Sequence, residues 1–171
     1  MITLDSGRAR LPVRTGLATG DDGVRIAWEE FGSGDPTIIL LPSAPIIHSR
    51  QWKAQIHVLS RSWRVITFDG RGNGRSDRPT DPAAYVDDRS VADIVTVLDA
   101  TGTQQAVLVG LCGDGVWRSI RLATEQPDRV LGMDDPVVPA VDDKRRASDA
   151  AGERQAAALG RGRDRPRCRP P

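Results

Sequence analysis

Apolar and polar positions along this chain follow two periods in turn. Residues 13–18 and 24–31 read as strands joined through Asp21-Asp22-Gly23, whose Asp-Gly pair supplies the positive φ of a tight hairpin. Thr37-Ile38-Ile39-Leu40-Leu41 is a continuous apolar run, the pattern of a strand covered on both faces. Residues 50–60 switch to the helical period, with Trp52, Ile56 and Leu59 on one face. Residues 64–68 read as a second buried strand. Residues 87–100 give the clearest helix: Val91, Ile94, Val95 and Leu98 form one stripe, Asp87 and Asp88 favour its N-terminus, and Gly102 lies just past its end. A strand over 106–110 follows. The helix predicted after Cys112 carries Val116, Ile120 and Ala123 as its apolar stripe, and Pro127 stops it. A last strand begins at Arg129 and reaches Met133, before Asp134-Asp135-Pro136, which is poor strand material. Strands alternating with helices predict an α/β fold with a mostly parallel sheet, and the N-terminal hairpin adds antiparallel strands at one edge.

At 171 residues the chain suits one hydrophobic core. The pattern divides it into an N-terminal extension over 1–12, a core over 13–139 and a tail over 140–171. The tail has nine Lys or Arg against five Asp or Glu, no aromatic residue, and Val141 and Leu159 as its sole large aliphatics. Such a segment cannot bury enough surface to offset its ordering entropy, so disorder is expected. Its Arg, Ala, Gly and Pro bias fits an out-of-frame reading of a GC-rich gene, and a basic tail for an acidic partner is the alternative. A net charge of +1 gives no general case for nucleic-acid binding. No run approaches the ~18 apolar residues of a membrane span. The first residues lack the apolar stretch of a signal peptide, so a cytoplasmic location is expected.

Chemistry concentrates at Ala106-Val107-Leu108-Val109-Gly110-Leu111-Cys112-Gly113-Asp114-Gly115. A β-branched run feeds a Gly-rich turn with Cys112 at its tip and a helix behind it, the layout that presents a nucleophile at a strand–helix elbow. Cysteine suits that place because a thiolate is a strong nucleophile, and a buried structural cysteine is the alternative. Asp114 stands where the G-x-S-x-G pattern asks for glycine. It is expected to crowd the approach of helix to strand, with Gly115 compensating by a shift of the turn.

Loops leaving the C-terminal ends of parallel strands converge on one face. The loop Pro42-Ser43-Ala44-Pro45-Ile46-Ile47-His48 is therefore a candidate second wall of the site. An oxyanion hole there would combine the N–H of Gly113 with one from Ser43, Ala44 or Ile46, since Pro42 and Pro45 have none. A plain connecting loop is the alternative. His48 reads as a capping or surface histidine with at most a minor part in the site, and His57 is given no role. Cys112, Cys168 and the two histidines have no metal-ligand spacing. The glycines of 69–76 and 110–115 match neither phosphate-loop pattern. No cofactor and no metal are expected.

Three stretches resemble the N-terminal half of the α/β-hydrolase family. Arg64 through Asp77 resembles its strand and D-x-R-G-x-G-x-S turn, Asp22 through Gly34 its opening hairpin, and the Cys112 elbow with Leu122-Ala123-Thr124-Glu125-Gln126-Pro127 its nucleophile turn and helix. The resemblance covers roughly residues 13–136. It implies that Cys112 takes the nucleophile position, Gly113 the first oxyanion donor and Ser43 or Ala44 the second. The family often has His-Gly where Pro42-Ser43 stands. It also places an acid and then a histidine after the nucleophile, and no histidine follows Cys112 in this chain. Asp134 and Asp135 are minor candidates for the acid.

The resemblance therefore implies a truncated hydrolase that is weakly active or inactive as it stands. Its parent reaction is cleavage of an ester or related acyl bond in a small apolar substrate. Epoxide hydrolases and dehalogenases share this half but generally use an Asp nucleophile, against which Cys112 stands. A non-catalytic interaction protein on the same scaffold is the alternative, recruiting a partner by a sheet edge or the basic tail. The oligomeric state is left open.

Overall fold

The computed structural model describes residues 10–43 and 47–134. The predicted tail, Asp135 and Ala44 lie outside the described residues. Six strands form one sheet in the order β1-β2-β4-β3-β5-β6. They are β1 (Arg14–Thr19), β2 (Arg25–Phe31), β3 (Thr37–Leu40), β4 (Arg64–Phe68), β5 (Ala106–Val109) and β6 (Val130–Asp134). β1 and β2 form an antiparallel hairpin, β2 also runs antiparallel to β4, and β4, β3, β5 and β6 are parallel. The architecture is the α/β one expected, hairpin included.

Three helices cover the sheet: α1 (Lys53–Leu59), entered through a short 3-10 turn, α2 (Asp87–Ala100) and α3 (Cys112–Glu125). The strands alternate between two cores, as their apolar runs require. Ile39, Leu41, Ile66, Phe68 and Leu108 pack with Val91, Ile94, Val97 and Leu98 of α2 and Leu122 of α3. Ile38, Leu40 and Val65 pack on the other face with Trp52 and Ile56. Burying both faces is why β3 and β4 contain no polar side chain beyond Thr37, Arg64 and Thr67.

The stripe predicted for α3 is wrong. Its buried positions are Gly115, Arg118, Ser119 and Leu122, whereas Ile120 is exposed. Gly115 and Ser119 stand on the inner face because α3 lies close against β5 there. Adding a Cβ to Gly110 would bring it within 2.5 Å of the Gly115 backbone. Trp117, Ile120, Leu131 and Met133 are consequently left as exposed apolar surface.

The turn after β4 is knitted by its own polar atoms. Asp69 is buried, and its carboxylate accepts the N–H groups of Arg75 (3.0 Å) and Ser49 (3.3 Å). The Ser76 hydroxyl donates to the Asp69 carbonyl (2.6 Å) and accepts the Ala27 N–H (2.8 Å). Arg71 reaches across to α2, with Nε and Nη2 on the two Asp93 carboxylate oxygens at 2.9 and 2.8 Å, and Nη1 on Asp22 at 2.9 Å. At the hairpin edge Arg25 grips Asp77 through two side-chain bonds and its own backbone N–H.

The Arg25 guanidinium, helped by that N–H, holds the Asp77 carboxyl below the usual carboxylate range. A depressed folded-state pKa contributes stability above the unfolded value of about 4, and the contribution is lost as pH falls through the folded value. Asp77→Asn is therefore expected to show a smaller acid-induced fall in urea midpoint between pH 7 and pH 3 than the wild type. The difference is expected to be small because the pair is exposed and solvent-screened. An identical fall in both proteins would count against the pairing.

Candidate active site

β5 ends at Val109, one residue earlier than expected, and the chain turns into α3 within three residues. Cys112 takes φ +62°, the sole non-glycine residue with positive φ among the described residues. A side chain in that conformation is sterically disfavoured and persists only when its surroundings impose it. Here the imposing contact is the Gly110–Gly115 approach, which forces the backbone to reverse sharply between strand and helix. Cys112 is exposed and carries a free thiol.

Asp114 does not crowd the turn. Its side chain is 54% exposed and faces Arg118 at 3.8 Å. The glycine required by the close approach is Gly115, one position later than the pattern places it. Gly113, the second residue of α3, has open space at its missing Cβ. Its N–H belongs to the first turn of a helix, where donors have no intrahelical acceptor.

Parallel pairing brings the end of β3 alongside β5, with Leu40 opposite Val109 and the Leu41 N–H donating to the Val109 carbonyl at 2.9 Å. The residues that follow β3 therefore leave the sheet beside the elbow. Ser43 is buried, and its hydroxyl donates to Gln51 Oε1 at 3.0 Å. The Ser43 N–H meets no acceptor among the described residues.

The histidines are engaged elsewhere. His48 caps the 3-10 turn, its Nδ1 accepting the Arg50 N–H at 3.1 Å and lying 3.6 Å from Asp69 Oδ1. His57, on α1, lies 2.9 Å from Arg61, which follows that helix. Among the described residues neither hydrogen-bonds Cys112. Asp134 closes β6 opposite Val109, and its carbonyl accepts the Gly110 N–H at 3.1 Å, so its backbone helps to hold the elbow. The described residues include no group of three His, Cys, Asp or Glu placed to share a metal. They include no helix long and apolar enough to cross a membrane.

The sequence reading passed over Arg118 and the partners of Arg71. Arg118 is buried on the inner face of α3, and its Nη1 donates to the Pro42 carbonyl at 3.3 Å. A charged residue within a helix gives no sequence signal of burial, because arginine is ordinarily exposed.

A strand–turn–helix that forces a thiol into a left-handed conformation, beside the Ser43 N–H, which has no acceptor among the described residues, fits an α/β fold of the hydrolase type. The chain belongs to the alpha/beta hydrolase fold family, whose model matches residues 36–112. It is 37% identical over 115 residues to RutD of Caulobacter segnis, a protein named for carbamate hydrolysis, covering 67% of this chain and 43% of that protein. It is 31% identical over 130 residues to bifunctional epoxide hydrolase 2 of Mus musculus, covering 74% of this chain and 23% of that protein. Among solved structures, epoxide hydrolase A from Mycobacterium thermoresistibile superposes with a TM-score of 0.65 at 28% identity, over 82% of this chain and 45% of that one. The chain spans less than half the length of these relatives.

Proposed function

We propose that this chain carries the acyl-accepting half of a hydrolase site, with Cys112 as nucleophile toward an ester or related acyl bond in a small apolar molecule. The observation that carries the reading is the forced φ of Cys112 at the end of β5, because the sharp reversal that imposes it leaves the thiol exposed at the tip of the turn. In the proposed step the Cys112 thiolate attacks the acyl carbon and forms a C–S bond. The carbonyl oxygen becomes an oxyanion, held by the Gly113 N–H and by Ser43 or Ala44. The oxyanion then collapses, the C–O bond breaks and the alkoxide leaves, taking a proton from water to become the alcohol, so that the acyl group remains on sulfur as a thioester.

Hydrolysis of that thioester needs a base to activate water. No imidazole among the described residues is bonded to the thiol, so acylation is expected to outrun deacylation. The similarity to epoxide hydrolases supports the scaffold, and a cysteine rather than a carboxylate at the tip supports acyl transfer as the chemistry.

Treating the purified chain with p-nitrophenyl acetate is expected to release a stoichiometric burst of nitrophenolate and leave an acetyl group mapped to Cys112. Cys112→Ala is expected to abolish that adduct, and peptide mapping separates it from any adduct on Cys168. A burst that is absent, or unchanged in Cys112→Ala, overturns the reading.

A further inference from the structure

Arg118 is an expensive residue in its place. Its side chain is 11% exposed, its Nε has no hydrogen-bond partner among the described residues, and Asp114, itself 54% exposed, stands 3.8 Å away. A buried guanidinium with a single hydrogen-bond acceptor among the described residues costs stability relative to an apolar residue of similar length. That one acceptor is the carbonyl of Pro42, the residue that opens the loop after β3. Three successive residues there are tied down, two to the 3-10 turn over Ser49–Trp52 and the one between them to α3. The Leu41 carbonyl accepts the Trp52 indole N–H at 3.1 Å, the Pro42 carbonyl accepts Arg118, and the Ser43 hydroxyl donates to Gln51.

We infer that Arg118 is a positioning residue for the oxyanion donors of the Cys112 site, acting through the Pro42–Ser43 peptide. This rests on the reading of Cys112 as an acyl acceptor. The Pro42 carbonyl and the Ser43 N–H belong to one planar peptide, so fixing the first fixes the second. A charged donor on the carbonyl also polarises the amide and strengthens its N–H as a donor. The Ser43 N–H is buried without an acceptor among the described residues, as expected of a donor kept for a charge that forms only during reaction. The same helix carries Cys112 and Gly113 at its start, so Arg118 links the loop bearing one donor to the helix bearing the other and the nucleophile.

Two reagents separate this role from general support of the fold. Acylation of Cys112 by p-nitrophenyl acetate passes through an oxyanion, whereas alkylation by iodoacetamide is a direct displacement and forms none. Arg118→Met is expected to lower the acylation rate constant about tenfold, less than the roughly 100-fold or greater loss on deleting a donor outright. The alkylation rate constant is expected to stay within about twofold, the scale of a fraction of a kcal/mol. Arg118→Lys keeps the charge and is expected to recover part of the acylation rate, and it decides the matter if the methionine variant fails to fold. An unchanged ratio of acylation to alkylation in the folded variants overturns the positioning role, as does an equal fall in both rates. If wild-type Cys112 is alkylated but never acylated, the acyl-acceptor reading itself fails and the role of Arg118 falls with it.

Discussion

Arg71→Met is expected to cost about 3–5 kcal/mol of folding stability, the range for breaking one side of a buried ion pair. Arg71 and Asp93 are both buried, with side-chain exposures of 4% and 3%. Their two parallel bonds join the turn after β4 to α2, and the third arm of Arg71 adds Asp22 from the β1–β2 turn. Removing the guanidinium leaves the Asp93 carboxylate in the core without its hydrogen-bonded partner, with the charge of Arg118 as a weaker counterweight.

The pH dependence tests the cause. Burial pushes the Asp93 carboxyl up, and the Arg71 guanidinium opposes that rise. Without Arg71 that rise is opposed only weakly, by the charge of Arg118. A raised folded-state pKa gives stability that is present below the unfolded value and lost as pH rises through the folded one. The deficit of Arg71→Met relative to wild type is therefore expected to be greatest near neutrality and to shrink in acid. Urea midpoints across pH read this directly. Adding Asp93→Asn to Arg71→Met is expected to restore part of the loss, because the unpaired charge is then gone. A deficit that does not vary with pH would show that lost packing, not an unpaired charge, is responsible.

The second large effect is at Gly110. A methyl group there would meet the Gly115 carbonyl carbon at 2.5 Å, its oxygen at 2.7 Å and the Val116 nitrogen at 2.8 Å. All three are backbone atoms, so no rotamer change relieves the clash and α3 itself must move off β5. Gly110→Ala is expected to lose at least about 1–3 kcal/mol, the ordinary cost of overpacking a core. It is also expected to slow acylation of Cys112, since the displacement opens the turn that sets the thiol. Gly113→Ala is the control. Its added methyl meets nothing within 4 Å, and a change of stability within about 0.5 kcal/mol is expected. Urea unfolding of the two variants measures the contrast, and equal losses would mean that the close approach of α3 to β5 is not what constrains the elbow.

Periodicity was a reliable guide where burial followed it. β4 and α2 span the segments read from the sequence, residues 64–68 and 87–100, because each buries an unbroken apolar pattern and ends at a polar or glycine boundary. It misled at α3, where closeness to the sheet selects Gly115 and Ser119 for the inner face and leaves Ile120 in solvent. Apolar spacing reports which face a helix buries only when side chains, rather than backbones, fill the gap between layers. The turn over Asp69 to Ser76 was legible as a pattern, but its use was not. Its carboxylate and hydroxyl accept the N–H groups of Ser49, Arg75 and Ala27, and its arginine donates to Asp93 and Asp22, so that most of its partners come from other segments of the chain.

For this protein the linear sequence determined the order of strands and helices, the antiparallel hairpin, the covering of the sheet on both faces and the position of Cys112 at a strand–helix turn. These depend on local propensity and on periods of two and 3.6 residues, which are properties of neighbouring residues. Tertiary structure alone decided that Gly115 rather than residue 114 makes the close contact, that Arg71 reaches Asp93 and Asp22, and that Arg118 is buried on Pro42. Each depends on which distant backbone approaches which, and a one-dimensional pattern does not carry that distance.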